Sequence, residues 1–175
     1  MKIDKYQHFY GAALIQIVED SRSPVVRAMK LKGRRVADAF QVNEDACICF
    51  KYASGPGRAS SWGNYSFNLS RQLLAELGRV ESAGKRVWLG LICVAGKEIC
   101  CLPYNLLLSI IEERRPYMQV HYPERCDEDN YIIGVDMPPG RYFRVGISAP
   151  WKVKKAAITE YKIPRNAFPS AILRD

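Results

Sequence analysis

Apolar residues first recur at helical spacing over Tyr6, Phe9, Tyr10, Ala13, Leu14, Ile17 and Val18, which predicts a helix closed by Ser23-Pro24. Glu19 and Asp20 sit at its C-terminal end. The helix dipole favours cations there, so acids in that place point to some other local use. Residues 25–35 mix apolar and basic side chains and read as a short helix stopped by Gly33. The period then switches to two. Phe40–Val42 and Ala46–Ala53 read as strands joined by the polar turn Asn43-Glu44-Asp45. Along the second of these, Asp45, Cys47, Cys49 and Lys51 share one face, while Ala46, Ile48, Phe50 and Tyr52 share the other. Neither face is polar throughout, as expected of an inner strand covered on both sides.

Ser54–Asn64 is rich in glycine and serine and reads as a long loop carrying Arg58 and Trp62. Tyr65–Leu69 alternates as a strand, and Ser70 is placed to cap a helix over 71–82 with Leu73, Leu74, Leu77 and Val80 as its buried stripe. Gly84 stops that helix. Residues 86–95 are apolar on both faces, Gly96-Lys97 makes a turn, and 98–102 returns as a strand. Pro103 opens a helix expected to end at Arg115, before Pro116. After it come short strands, at 118–122, 131–135 and 142–147, then an alternating tail from Ile158 to Ile163. The expected class is α/β or α+β: a mixed sheet flanked by helices over 1–115, with a β-rich extension over 116–175 packed on it.

Composition narrows the class further. A content of 48% hydrophobic and 25% charged residues in 175 fits a globular chain of one domain with an appendage and argues against wholesale disorder. No apolar run reaches the roughly 20 residues of a membrane helix. Met1-Lys2-Ile3-Asp4-Lys5 lacks the apolar core of a signal peptide. A cytoplasmic protein with no membrane partner is expected. Six cysteines fall mostly in apolar strand-like runs without the spacing of zinc sites, so reduced core thiols are expected; only Cys126, beside Asp127-Glu128-Asp129, reads as exposed.

The net charge of +8 changes the picture most. Arg27, Lys30, Lys32, Arg34 and Arg35 crowd one segment, and Lys152, Lys154 and Lys155 another. Such a protein attracts polyanions, nucleic acid first. Arg27, Lys30, Arg34, Arg35, Arg58 and Trp62 are therefore the candidate DNA- or RNA-binding residues, with Trp62 able to stack on bases. His8 and His121 sit among apolar and aromatic neighbours and read as structural, and the chain has no phosphate-loop, dinucleotide or serine-hydrolase signature.

The order helix–strand–strand–strand–helix–strand, with Glu19 ending the first helix and Asp45 heading what counts as the second strand, resembles the common core of the PD-(D/E)XK (restriction-endonuclease-like) superfamily. That resemblance implies a metal-dependent nuclease in which a helix acid, an acid on the second strand and an acid-x-lysine pair on the third hold Mg²⁺ and activate water. It assigns Glu19 and Asp45 as metal ligands and Lys51 as a further catalytic residue. The chain departs from the pattern at Tyr65–Ser70, which carries neither acid nor lysine. Lys51 lies six residues beyond Asp45, roughly 20 Å along a straight strand. The run at 87–104, Val-x-Leu-x-Leu-Ile-Cys-Val followed by Ile-Cys-Cys-Leu-Pro-Tyr, is similar to one in a group of small bacterial proteins. Two functions are expected from different classes: a nucleic-acid-binding protein on a nuclease-like core, or a non-catalytic protein-interaction module, for example a subunit of a defence complex.

Overall fold

The computed structural model describes residues 5–55, 65–121, 123, 130–147 and 160–174. In chain order the elements are α1 (Lys5–Val18), β1 (Val26–Leu31), β2 (Arg34–Val42), β3 (Ala46–Ala53), β4 (Tyr65–Ser70), α2 (Arg71–Ser82), β5 (Arg86–Cys93), β6 (Glu98–Pro103), α3 (Tyr104–His121), β7 (Asn130–Asp136), β8 (Tyr142–Ile147) and β9 (Tyr161–Pro164). They make an α+β fold of two sheets. One is mixed, in the order β1-β2-β3-β5-β6; the other is antiparallel, β4-β7-β8-β9. β3 and β5 run parallel, joined through β4 and α2, and every other pair is antiparallel.

β3 is the central strand, and its period of two divides the core. Cys47 and Cys49 face a large cluster shared with α2, α3 and the antiparallel sheet, whereas Ala46, Ile48 and Phe50 face a smaller one under α1. The C-terminal segment closes the α1 side: Ile172 and Leu173 are buried there, and the Phe168 and Phe50 rings pack edge-to-face with centroids 6.2 Å apart. Ser70 caps α2 as its residue type suggests, its Oγ accepting from the Leu73 N–H at 3.1 Å. Cys47, Cys49, Cys93, Cys100 and Cys101 are free and buried, as apolar surroundings make them. Cys126 lies outside the described residues.

Two elements differ from the sequence reading. Residues 25–35 are not a helix. Val26–Leu31 pairs with β2, and Lys32 and Gly33 form the two-residue turn between them, with φ of 49° and 78°. Positive φ at both central residues is what a tight hairpin of this twist requires, so Gly33 serves the turn and not a helix end. The helix opened by Tyr104 continues through Pro116 to His121, so 118–121 is helical and not a strand. A proline inside a helix costs one hydrogen bond and some distortion, of order 3 kcal/mol. Burial of Ile111 and Met118 along the same helix offsets that cost. The antiparallel sheet also takes β4 from the first part of the chain, Tyr65 pairing with Val135.

No helix among the described residues is long and apolar enough to cross a membrane.

Candidate functional site

The α1 side of the mixed sheet has two ends. α1 runs opposite to β3, so its first turns lie near the end of β3, and its last turn lies near the start.

At the start of β3, Asp45 and Asp20 serve the C-terminal segment through two arginines. The Arg86 guanidinium donates to the Asp45 carboxylate, from Nε at 3.0 Å and also from Nη2, and Nη2 reaches the Ile172 carbonyl at 3.3 Å. Asp20 accepts from Arg22, from Nε at 2.6 Å and Nη2 at 2.8 Å, and Arg22 Nη1 donates to the Leu173 carbonyl at 3.1 Å. The side-chain hydrogen bond from Arg22, aided by the Arg22 backbone N–H, pulls the Asp20 carboxyl down to about 2. Asp20 after α1 thus has a local use: it holds Arg22, which clamps the tail. Glu19, exposed, follows α1 at this same end. Among the described residues no three His, Cys, Asp or Glu side chains come together as a group able to hold a metal ion.

Lys51 stands at the other end of β3. Its Nζ donates to Asp38 Oδ2 at 3.0 Å. Asp38 is on β2 with φ of 59°, a left-handed backbone that aspartate tolerates better than most residues. The reason is a bulge. Between the pairs Ala28↔Phe40 and Lys30↔Arg35, β1 advances two residues while β2 advances five. Pairing of β2 with β3 is likewise regular from Val42 back to Ala39. The extra residues let Val36 and Ala39, three apart, both face the larger cluster, and they carry Asp38 toward Lys51.

Around this pair lies a cleft of about 300 Å³ lined by Tyr6, Tyr10, Asp38, Lys51 and Tyr52. Its aromatic walls are held from behind. Tyr10 stacks on Phe50 at 5.8 Å with an interplanar angle of 27°, and Tyr52 packs on Phe9 at 5.2 Å. Tyr6, at the rim, lies 5.8 Å from Tyr10 and is 40% exposed. Burial raises the Tyr10 hydroxyl, and the negative charge of Asp38 adds to the shift, so this phenol stays protonated and neutral at ordinary pH.

The basic hairpin β1–β2 projects from the same corner. Arg27, Lys30, Lys32, Arg34 and Arg35 are all exposed. Met29 and Val36 face the larger cluster, so their neighbours Lys30 and Arg35, directly opposite each other in the ladder, take the other face. Arg34 pairs with Leu31 and takes the opposite face, as does Arg27, two residues before Met29. The hairpin is therefore a finger with positive charge on both faces. Arg58 and Trp62 lie outside the described residues, as do Lys152, Lys154 and Lys155.

Of the expected site residues, Lys51 lines the cleft, Lys30 and Arg35 lie further along the hairpin, and Asp45 and Glu19 lie at the other end. The residues missed by the sequence are Asp38, Tyr6, Tyr10 and Tyr52. Asp38 was hidden because a bulge has no period, and the tyrosines because Tyr6 and Tyr10 sit where an amphipathic helix puts core residues. Comparison of the chain with protein-family models, with curated proteins and with solved structures found no match.

Proposed function

We propose that this protein binds nucleic acid on the α1 side of its mixed sheet, with the β1–β2 finger gripping phosphates and the Asp38–Lys51 cleft meeting the strand. The observation that carries the reading is the meeting of Lys51 and Asp38 inside a tyrosine-lined cleft, at the root of a hairpin bearing five exposed cations. Lysine and arginine on a projecting hairpin neutralise phosphates and release counterions, while aromatic rings accept unstacked bases.

We take the PD-(D/E)XK resemblance in a different register from the one that used Glu19 and Asp45, because Val26–Leu31 adds a strand before β2. With β1 counted as the first strand, Asp38 falls on the second and Lys51 on the third. Cys49 stands where that family's pattern has the acid of its acid-x-lysine pair. The donor set does not fit a resident Mg²⁺. The Cys49 thiol is buried and pushed up to about 12 by desolvation, so it stays protonated, and a thiol is a poor partner for a hard cation in any case. One carboxylate remains, and Lys51 already engages it. This favours binding over hydrolysis.

The test is fluorescence anisotropy with labelled DNA and RNA at several salt concentrations, beside a cleavage assay with Mg²⁺ or Mn²⁺. Binding is expected to weaken steeply with salt, and the paired change Lys30→Glu and Arg35→Glu is expected to weaken it for every sequence and flatten the salt slope by about 2. Absence of binding at low salt sinks the reading. Metal-dependent cutting lost in Lys51→Ala makes the protein a nuclease after all.

A second reading, a protein-interaction module, is favoured by the exposed apolar side chains Ile15, Val18 and Val25 at the outer side and end of α1. It predicts a protein partner and no affinity for nucleic acid.

A further inference from the structure

The cleft's dimensions and chemistry say more than that a polyanion binds nearby. At about 300 Å³ it stands at the lower end of the range for small-molecule sites. It can admit one nucleotide and is too small for a duplex. Three of its five lining residues are tyrosines, and the packing of Tyr10 on Phe50 and of Tyr52 on Phe9 fixes the rings before any ligand arrives. A preformed aromatic slot of this kind binds a planar group with little ordering cost.

The polar pair sets the orientation. Among the described residues lining the cleft Lys51 carries the positive charge, and Lys30 and Arg35 carry more of it further along the finger. A strand laid along them brings a phosphate to Lys51 and turns its base toward the tyrosines. As a carboxylate Asp38 accepts and cannot donate, and it has lone pairs beyond the one Lys51 uses. Beside a base edge it welcomes an exocyclic amino group and repels a carbonyl oxygen. Cytosine offers an N4 amino donor at the position where thymine and uracil present O4.

We propose that the cleft takes one unstacked, amino-bearing base of a single strand, cytosine above all, stacked among Tyr6, Tyr10 and Tyr52 with its amino group on Asp38 and its phosphate on Lys51. The proposal rests on the nucleic-acid reading above and deepens it. Single-stranded DNA and RNA share the chemistry, and the test separates them.

The experiment is anisotropy of the full chain with labelled 12-mers of deoxycytidine, thymidine, cytidine and uridine and with a mixed-sequence duplex, all at one low salt concentration. The cytosine strands are expected to bind about tenfold tighter than thymine or uracil strands of the same sugar. The ratio between deoxycytidine and cytidine identifies the natural sugar. Asp38→Gly keeps the backbone conformation available and should bring the cytosine and thymine affinities together. Tyr6→Ala, at the exposed rim where refolding risk is small, should lower affinity for the cytosine strand roughly tenfold. Circular dichroism confirms that both variants are folded. Equal affinity for cytosine and thymine strands in the parent protein overturns the proposal, and so does an unchanged cytosine affinity in Tyr6→Ala. If duplex and single strands then bind alike and Lys30→Glu with Arg35→Glu weakens both, the nucleic-acid reading survives without the base slot. If nothing binds, both fall.

Discussion

Phe50 lies over Gly90 across the parallel β3–β5 pair. A Cβ at position 90 would stand 2.5 Å from both Cδ1 and Cε1 of the Phe50 ring. Since Phe50 is fully buried and Tyr10 stacks on it, the missing side chain at 90 sets the depth at which the cleft's aromatic floor can lie. Gly90→Ala is therefore expected to cost about 1–3 kcal/mol, because a fully buried ring with Tyr10 stacked on it has little room to move. Urea unfolding of Gly90→Ala, Phe50→Leu and the double variant checks it. The two changes should be clearly non-additive, the smaller side chain at 50 absorbing most of the added methyl.

Asp38 carries a different backbone constraint. At φ of 59°, glycine fits freely and a β-branched residue fits worst. Asp38→Gly should change stability little, since the Lys51 pair it removes is half exposed and such pairs contribute about 0–1 kcal/mol. Asp38→Val should cost about 1–2 kcal/mol more than Asp38→Gly. Equal stabilities for the two would mean the bulge does not hold its conformation in solution.

The buried thiols make the fold sensitive to alkali. Desolvation pushes Cys47, Cys49, Cys93 and Cys101 from the ordinary 9.0 up to about 12. A thiol that ionises more readily in the unfolded chain than in the folded one stabilises the fold fully below pH 9. That contribution fades as pH rises from 9 toward 12, because only the unfolded chain gains by ionising. Unfolding free energy should thus fall steadily across pH 9–12, and less so when Cys47 and Cys49 are replaced by alanine. Alkylation of the native protein at pH 8 should leave these thiols unmodified while denatured protein reacts at once.

The tail is held by packing and by two arginines. Ile172 is almost wholly buried, and Arg86 and Arg22 donate to the carbonyls of Ile172 and Leu173. Ile172→Ala should cost about 2–5 kcal/mol, the usual range for a large-to-small change in a core. Asp45→Ala should cost much less, because its pair with Arg86 is exposed. A large loss of nucleic-acid binding in Asp45→Ala, with stability intact, would return that residue to the functional site.

Elements with a strong internal period were legible from residue order. The stripe of α1, the Ser70 cap, the stripe of α2 and the two-faced apolar run of β5 each depend on neighbours within a few positions, and local spacing encodes them. The same local logic misread Val26–Leu31 and 118–121, where pairing with β2 and burial of Met118 outweigh propensity and a proline.

By itself, then, the sequence determined the class, the central two-faced strand that carries Lys51, the reduced thiols and the surplus of basic charge in residues 27–35. It also put an aromatic helix at the front of the chain. Tertiary structure alone decided that Asp38 would meet Lys51, because that contact needs extra residues in β2 and a left-handed backbone at one position, and neither leaves a periodic trace. It decided also that Asp45 would pair with Arg86, since residues 41 positions apart meet only when β3 and β5 align in parallel. Local patterns write the elements. Contacts between elements, which no single element specifies, place the site.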